Sequence, residues 1–288
     1  MIKRFFLFIF LTIFLVSCNE KPTIEFDGKN AYLYAKSQVE FGPRTPGSEA
    51  HQKTIELITE EINSFGWTVD IQSEEVNGYL IQNIIGKYPT TTAEPWIIIG
   101  AHYDSRFYAN KDTNIANQLQ PILGANDGAS GVAVLLELAR VLPPDLNKNI
   151  LFVFFDAEDQ GNIDGWDWIL GSRSFVKTLE DKPDAVVILD MIGDTDLNVY
   201  YERNSDVNLQ KEIWDIAANL GYGEYFIPEF RHSILDDHIP FIENGITAID
   251  IIDFDYSYWH TSQDTIDKLS PESLEIIGKT IYHWLLVP

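Results

Sequence analysis

Between residues 154 and 161 the chain reads FFDAEDQG, an apolar run that stops abruptly in Asp156, Glu158 and Asp159. Neighbouring carboxylates repel one another, and more so once buried, so a bound cation is the simplest compensation. Other residues able to hold one stand at comparable places. PWIIIGAHYDS closes on His102 and Asp104, GANDGASG carries Asp127, AVVILDMIG contains Asp190, and ITAIDIIDFD leads on to Trp259 and His260. Zinc takes nitrogen and oxygen donors, and a catalytic zinc uses about three protein ligands plus an open position. Asp127, Asp159 and His260 supply such a set. Glu158 adjoins Asp159 but points elsewhere if the strand continues, which suits a general acid or base lying over the open position. Asp190 keeps two readings, a hydrogen-bond partner of Glu158 or a ligand of a second ion. Asp156 reads as a structural acid bonded to loop amides, and His51, His232 and His283 as structural histidines.

These residues must be gathered by the elements that carry them. SEAHQKTIELITEEINSF, residues 48–65, has apolar residues at helical spacing and is closed by Gly66. TVDIQSEEV and LIQNIIGKY read as strands joined by a turn at Asn77-Gly78. The apolar, β-branched runs that follow alternate with helices: GANDGASG feeds one, WDWILGSRSFVKTL reads as another, and VNLQKEIWDIAANLG as a third closed by Gly221. SPESLEIIGKTIYHWLL starts at a cap on Ser270 and ends the chain as an amphipathic helix. Continuous apolar strands alternating with helices imply an α/β fold, a mixed and mostly parallel sheet covered on both faces. Ligands of such sheets sit beyond the carboxyl ends of the strands. His102, Glu158, Asp159, Asp190 and His260 all follow strands on that side, so one rule of fold geometry collects residues spread over half the chain.

The amino terminus carries a different signal. Lys3 and Arg4 precede an apolar run from Phe5 to Val16, which Ser17 and Cys18 follow. The run is short for a membrane span and resembles a bacterial lipoprotein signal, in which Cys18 becomes the lipidated first residue. Residues 1–17 are then the signal peptide, 18–28 a lipid-anchored tether and 29–288 a single catalytic domain. The expected location is the bacterial cell envelope, on the outer membrane facing the periplasm. Cys18 is the only cysteine, so no internal disulfide forms. With 20 basic and 44 acidic residues, a formal net charge of −24, the surface repels nucleic acid.

AHYDS, GANDGASG, FFDAED and YWHT occur in the order and context of zinc aminopeptidases of the bacterial leucyl aminopeptidase type. FGPRTPGS at 41–48 and DDHIPF at 236–241 narrow the resemblance to glutaminyl-peptide cyclotransferases, the glutaminyl cyclases, which share that fold. It covers nearly all of residues 30–287. It implies a three-layer αβα sandwich and one zinc ion held by Asp127, Asp159 and His260. Asp159 departs from the glutamate that animal cyclases carry there and fits the bacterial branch. Glu158 matches the general acid/base, and Asp190 and Asp236 match carboxylates hydrogen-bonded near it. Trp259 matches a pocket tryptophan, and the second falls on Trp168, with Trp166 as the alternative. The implied substrates are peptides or proteins with N-terminal glutamine, and the expected state is a monomer. One rival is a two-zinc aminopeptidase, in which His102 and Asp190 complete a second site with Asp127 bridging. The other is a catalytically silent binding protein, which loss of Glu158 or of a zinc ligand would mark; neither loss has occurred.

Overall fold

The computed structural model describes residues 25–90, 92, 95–163 and 165–287. The expected signal peptide, Cys18 and most of the expected tether lie outside the described residues. Six strands form the central sheet. They are β1 (Thr68–Val76), β2 (Tyr79–Lys87), β3 (Trp96–His102), β4 (Asn149–Phe155), β5 (Ala185–Asp190) and, after a separate ribbon of β6 (Val199–Tyr201) and β7 (Phe226–Phe230), β8 (Ala248–Ile252). Their spatial order is β1-β2-β4-β3-β5-β8. β4, β3, β5 and β8 run parallel, while β2 joins β4 antiparallel and pairs with β1 as a hairpin across Asn77-Gly78. The mixed, mostly parallel sheet expected from the sequence is the one observed.

The helices are α1 (Gly28–Glu40), α2 (Glu49–Ser64), α3 (Ala129–Val141), α4 (Leu170–Val176), α5 (Val207–Asn219), α6 (Ile239–Glu243) and α7 (Pro271–Leu286). Successive strand residues point to opposite faces, and both faces are apolar. Ile97, Ile99, Phe152, Phe154, Val187, Leu189, Ile249 and Ile251 enter one core with Ile58 and Ile62 of α2, Val132 and Leu136 of α3, and Ile277 and Ile281 of α7. Ile98, Val153, Phe155, Val186 and Ile188 enter the other with Phe175 of α4 and Phe241 of α6. Three layers result. Parallel registry then aligns the carboxyl ends: His102 lies opposite Phe155 and Asp190 opposite Ile252.

Local signals account for several helix starts. Ser48 accepts from the His51 amide, Asp206 from Asn208 and Leu209, and Ser270 from Glu272 and Ser273, each satisfying amides the helix leaves free. One element differs from expectation. The helix anticipated over WDWILGSRSFVKTL is confined to α4, and Trp166, Asp167 and Trp168 precede it outside any helix. Ile169 has φ +54°, and Ile169, Leu170 and Gly171 donate their amides to the carbonyls of Glu158, Ala157 and Asp156. Laddering this segment against the acidic turn prevents an earlier helix start and delivers Trp168 to the site.

Candidate active site and metal centre

The acidic turn after β4 is clamped from below. Asp156 accepts from the amide of Gln82 at 2.7 Å and pairs with His51 Nε2 at 2.8 Å. It is structural as expected, though its amide belongs to strand β2 rather than to a loop. Ala157 turns the chain with φ +51°. Asp104 then accepts from the amides of Glu158 (3.0 Å) and Asp159 (3.3 Å) and from the Gln160 side chain (2.8 Å). Glu158 and Asp159 are thus aimed by a backbone that two further buried acids hold.

Asp127 sits in the glycine-rich loop before α3. Its amide and that of Asn126 donate to Asp264 at 3.3 and 2.9 Å. Gly128 follows because nothing larger fits: a Cβ there would lie 2.4 Å from His102 Nε2. His260 follows β8 with φ +56°. His260 Nε2 lies 2.8 Å from Asp159 Oδ1 and 3.7 Å from Asp127 Oδ2. Donor atoms of Asp127, Asp159 and His260 all lie within 4.8 Å of one another, and so do those of His102, Asp127 and Asp190. Asp127 belongs to both groups.

The trio fits a metal. Asp127 Oδ2 and Asp159 Oδ2 are buried without a hydrogen-bond partner, an arrangement that is costly unless a cation fills it. Burial pushes the His260 pKa down to about 3 against the attraction of Asp127, so the ring is neutral and offers a lone pair. Burial, opposed by Arg106 and His102, raises Asp159 to about 7. Two carboxylates, an imidazole and an open side match a catalytic zinc. His102 differs. Burial disfavours its charge, but Asp104, Asp127 and Asp190 together hold its pKa well above the usual histidine range. Its Nε2 is 3.1 Å from both Asp127 Oδ1 and Asp190 Oδ1.

Across from the trio lies a cavity of about 210 Å³ lined by Asp127, Glu158, Trp168, Asp190, Asp236 and Trp259, with Met191, Ile234, Leu235, Ile252 and Phe254 closing its apolar side. Every residue singled out from the sequence as catalytic or substrate-binding contributes to this wall. Trp168 stacks over the His260 ring at 6.0 Å and 13°, while Trp166 packs away from the cavity against Tyr79 and Phe107. A wider hollow of about 470 Å³ lies at the amino ends of the strands, lined by Ile97, Ala185 and Thr247. It holds none of the metal-ligating groups, so the smaller cavity is the chemical one. Glu158 carries a pKa well above the usual carboxylate range, first through burial, then through Asp236 and Asp159 against the opposing charge of His102. Asp236 rises to about 7 through burial and the neighbouring Asp190, and Asp190 is raised through burial too.

Sequence reasoning left out Asp264, Asp237 and Arg106. Asp237 is buried next to Asp236 in the chain, and Arg106 reaches the Asp159 carboxylate. Asp237 shares the DDHIPF stretch, and Arg106 follows AHYDS directly, so for Arg106 position beside the end of β3 was the available signal.

The raised acids fix how stability responds to pH. An acid whose folded pKa exceeds its unfolded value near 4 binds more protons in the folded state between those values. Its stabilising contribution is complete below the unfolded pKa and is lost as pH climbs through the folded one. Asp159, Asp236 and Asp264 are each raised to about 7, and the elevated His102 acts in the same direction. The depressed His260 opposes them only below the unfolded histidine pKa near 6.5, so the metal-free protein is expected to lose Tm between about pH 6.5 and about pH 8, and zinc to recover much of the loss at the upper end. Thermal melts with and without chelator check this; a metal-free Tm that rises over that interval contradicts it.

The sequence pattern of peptidase family M28 matches residues 83–285. A Tannerella forsythia glutaminyl cyclase is 35% identical, with a TM-score of 0.86 over 92% of this chain and 100% of that one. A Zn-dependent exopeptidase from Parabacteroides distasonis is 31% identical, with a TM-score of 0.86 and the same coverage, 92% and 100%. A glutaminyl-peptide cyclotransferase from Gloydius blomhoffii is 26% identical over 86% of this chain and 77% of its own length.

Proposed function

The chain belongs to peptidase family M28, and on that premise we propose that it is a zinc-dependent glutaminyl cyclase, converting N-terminal glutamine of peptides and proteins to pyroglutamate with release of ammonia. The observation that carries this reading is Glu158 and Asp236 lining one small cavity beside the unpartnered Asp127 and Asp159 oxygens. The chain around that cavity aligns over nearly its whole described length with a glutaminyl cyclase.

The reaction asks for little more than positioning and one proton carrier. The substrate's own α-amine attacks the γ-carboxamide carbon, a C–N bond forms, the bond to the amide nitrogen breaks, and one proton passes from the amine to departing ammonia. Zinc held by Asp127, Asp159 and His260 would supply Lewis acidity to the γ-carbonyl oxygen. Glu158, with its raised pKa, is able both to take the amine proton and to hold it near neutral pH. Asp190 and Asp236 share that proton with it, since closely spaced buried acids do not all ionise. Trp168 and Trp259 wall the cavity and keep water from competing with the amine. A cavity of about 210 Å³ suits one side chain and its amine.

We assign a single zinc to the Asp127–Asp159–His260 group and read His102 and Asp190 as hydrogen-bonded neighbours. The second group of donors at His102, Asp127 and Asp190 is what a two-ion aminopeptidase would use, and it keeps that reading alive. Incubation with a peptide beginning in glutamine separates the two. Ammonia release with an intact chain and about one zinc per protein supports the cyclase; free glutamine with two ions points to the peptidase. The remaining parts of the proposal are lipid attachment at Cys18, the periplasmic face of the outer membrane and a monomeric state. They are supported by the MIKRFFLFIFLTIFLVSC terminus for the first two alone.

A further inference from the structure

Arg106 is almost fully buried, at 2% exposure, and its planar fork is spent on the site's scaffolding. Nη1 donates to the Asp159 carbonyl at 2.7 Å and lies 3.4 Å from Asp159 Oδ1; Nη2 donates to the Gly161 carbonyl at 2.9 Å; Nε donates to Asn110 Oδ1 at 2.8 Å. The guanidinium carbon also sits 4.8 Å from the Trp168 ring centre. Trp168 in turn lies on the 159–161 turn so closely that a Cβ at Gly161 would fall 2.1 Å from the indole. The same loop reaches the segment that carries another ligand, because the Lys111 amide donates to the His260 carbonyl at 3.1 Å.

We propose that Arg106 is a positioning residue for the zinc centre, acting through Asp159 and Trp168. Drawing the Asp159 and Gly161 carbonyls together fixes the turn that carries the acidic ligand Asp159. Approaching Oδ1 leaves Oδ2, which has no hydrogen-bond partner, available as a ligand atom. Stacking on the indole sets the plane of the cavity wall. Lysine would keep the charge but lacks the fork and the flat face, so it satisfies one of these contacts rather than three. Groups that orient metal ligands typically govern affinity by about 10–100-fold.

A buried structural arginine provides the control. Arg44 is equally enclosed but donates to the backbone carbonyls of Tyr103, Leu123 and Gly124, and among the described residues no hydrogen bond or ion pair joins it to a ligand side chain. The inference rests on zinc occupying the Asp127–Asp159–His260 group, and wild-type protein that binds no zinc would defeat that premise separately. The test is chelator competition for zinc, with tryptophan emission and the KM–kcat split, on full-length R106K, R106M and R44K. Arg106→Lys is expected to weaken zinc by about tenfold or more, to raise KM and to shift the tryptophan emission. Arg44→Lys is expected to lower Tm with zinc affinity within about twofold of wild type, the effect of a purely structural loss. If R106M does not fold, R106K carries the comparison. Wild-type zinc affinity and KM in R106K, or equal weakening in R44K, overturns the proposal.

Discussion

Glu158→Gln is expected to fold, to bind zinc as tightly as the parent, and to lose between roughly 10² and 10⁴ in kcat/KM, the span a positioned general acid–base supplies. The side chain is nearly isosteric with the protonated carboxyl that burial already favours, so packing is preserved. Only the ability to accept and return a proton disappears. Stability adds an independent signature. Because a buried acid with a raised pKa costs stability as pH rises, the variant is expected to melt higher than the parent at alkaline pH and much as the parent does at acid pH. Zinc content, melting curves and ammonia release on one preparation check all three. Retention of most turnover would remove Glu158 from the proton path.

His260→Ala acts on the other half of the site. It deletes the neutral donor whose Nε2 stands 2.8 Å from Asp159 Oδ1 and leaves two buried carboxylates to hold a dication alone. Zinc is expected to be lost on modest chelation, and kcat/KM to fall about a thousandfold, the equivalent of several kcal/mol of lost charge stabilisation. Trp168 loses the ring it stacks on, so its emission is expected to change as well. Metal content equal to the parent would place the ion elsewhere, with the His102–Asp127–Asp190 group as the alternative seat.

Much of this architecture was legible from the sequence because two simple signals coincide. Apolar runs that end in His or Asp mark strands whose ends meet in a parallel sheet, and so His102, Asp159, Asp190 and His260 could be placed at one edge without coordinates. The hairpin at Asn77-Gly78 and the cap at Ser270 follow from local chemistry. What stayed hidden depends on partners distant in sequence. Trp168 falls in a stretch with helical composition, yet its surroundings are set by amides of residues 169–171 laddering onto 156–158, which no periodicity reveals. Asp264 looks like a solvated loop acid until the amides it accepts from are known. Arg106 in isolation reads as a surface cation in an acidic protein, and only the closeness of Asp159 and Trp168 gives it a task.

The central claim is that the substrate's own amine, and not water, attacks the glutamine side chain. Turnover of a glutamine-initiated peptide in heavy-oxygen water tests it directly by mass spectrometry of the products. Cyclisation keeps the original γ-carbonyl oxygen, so the account predicts a pyroglutamyl peptide without label and one ammonia released for each. Heavy oxygen in the carboxylate of freed glutamine would show hydrolysis of the peptide bond, and heavy oxygen in a side-chain carboxylate would show simple deamidation. Either result would contradict the cyclase assignment.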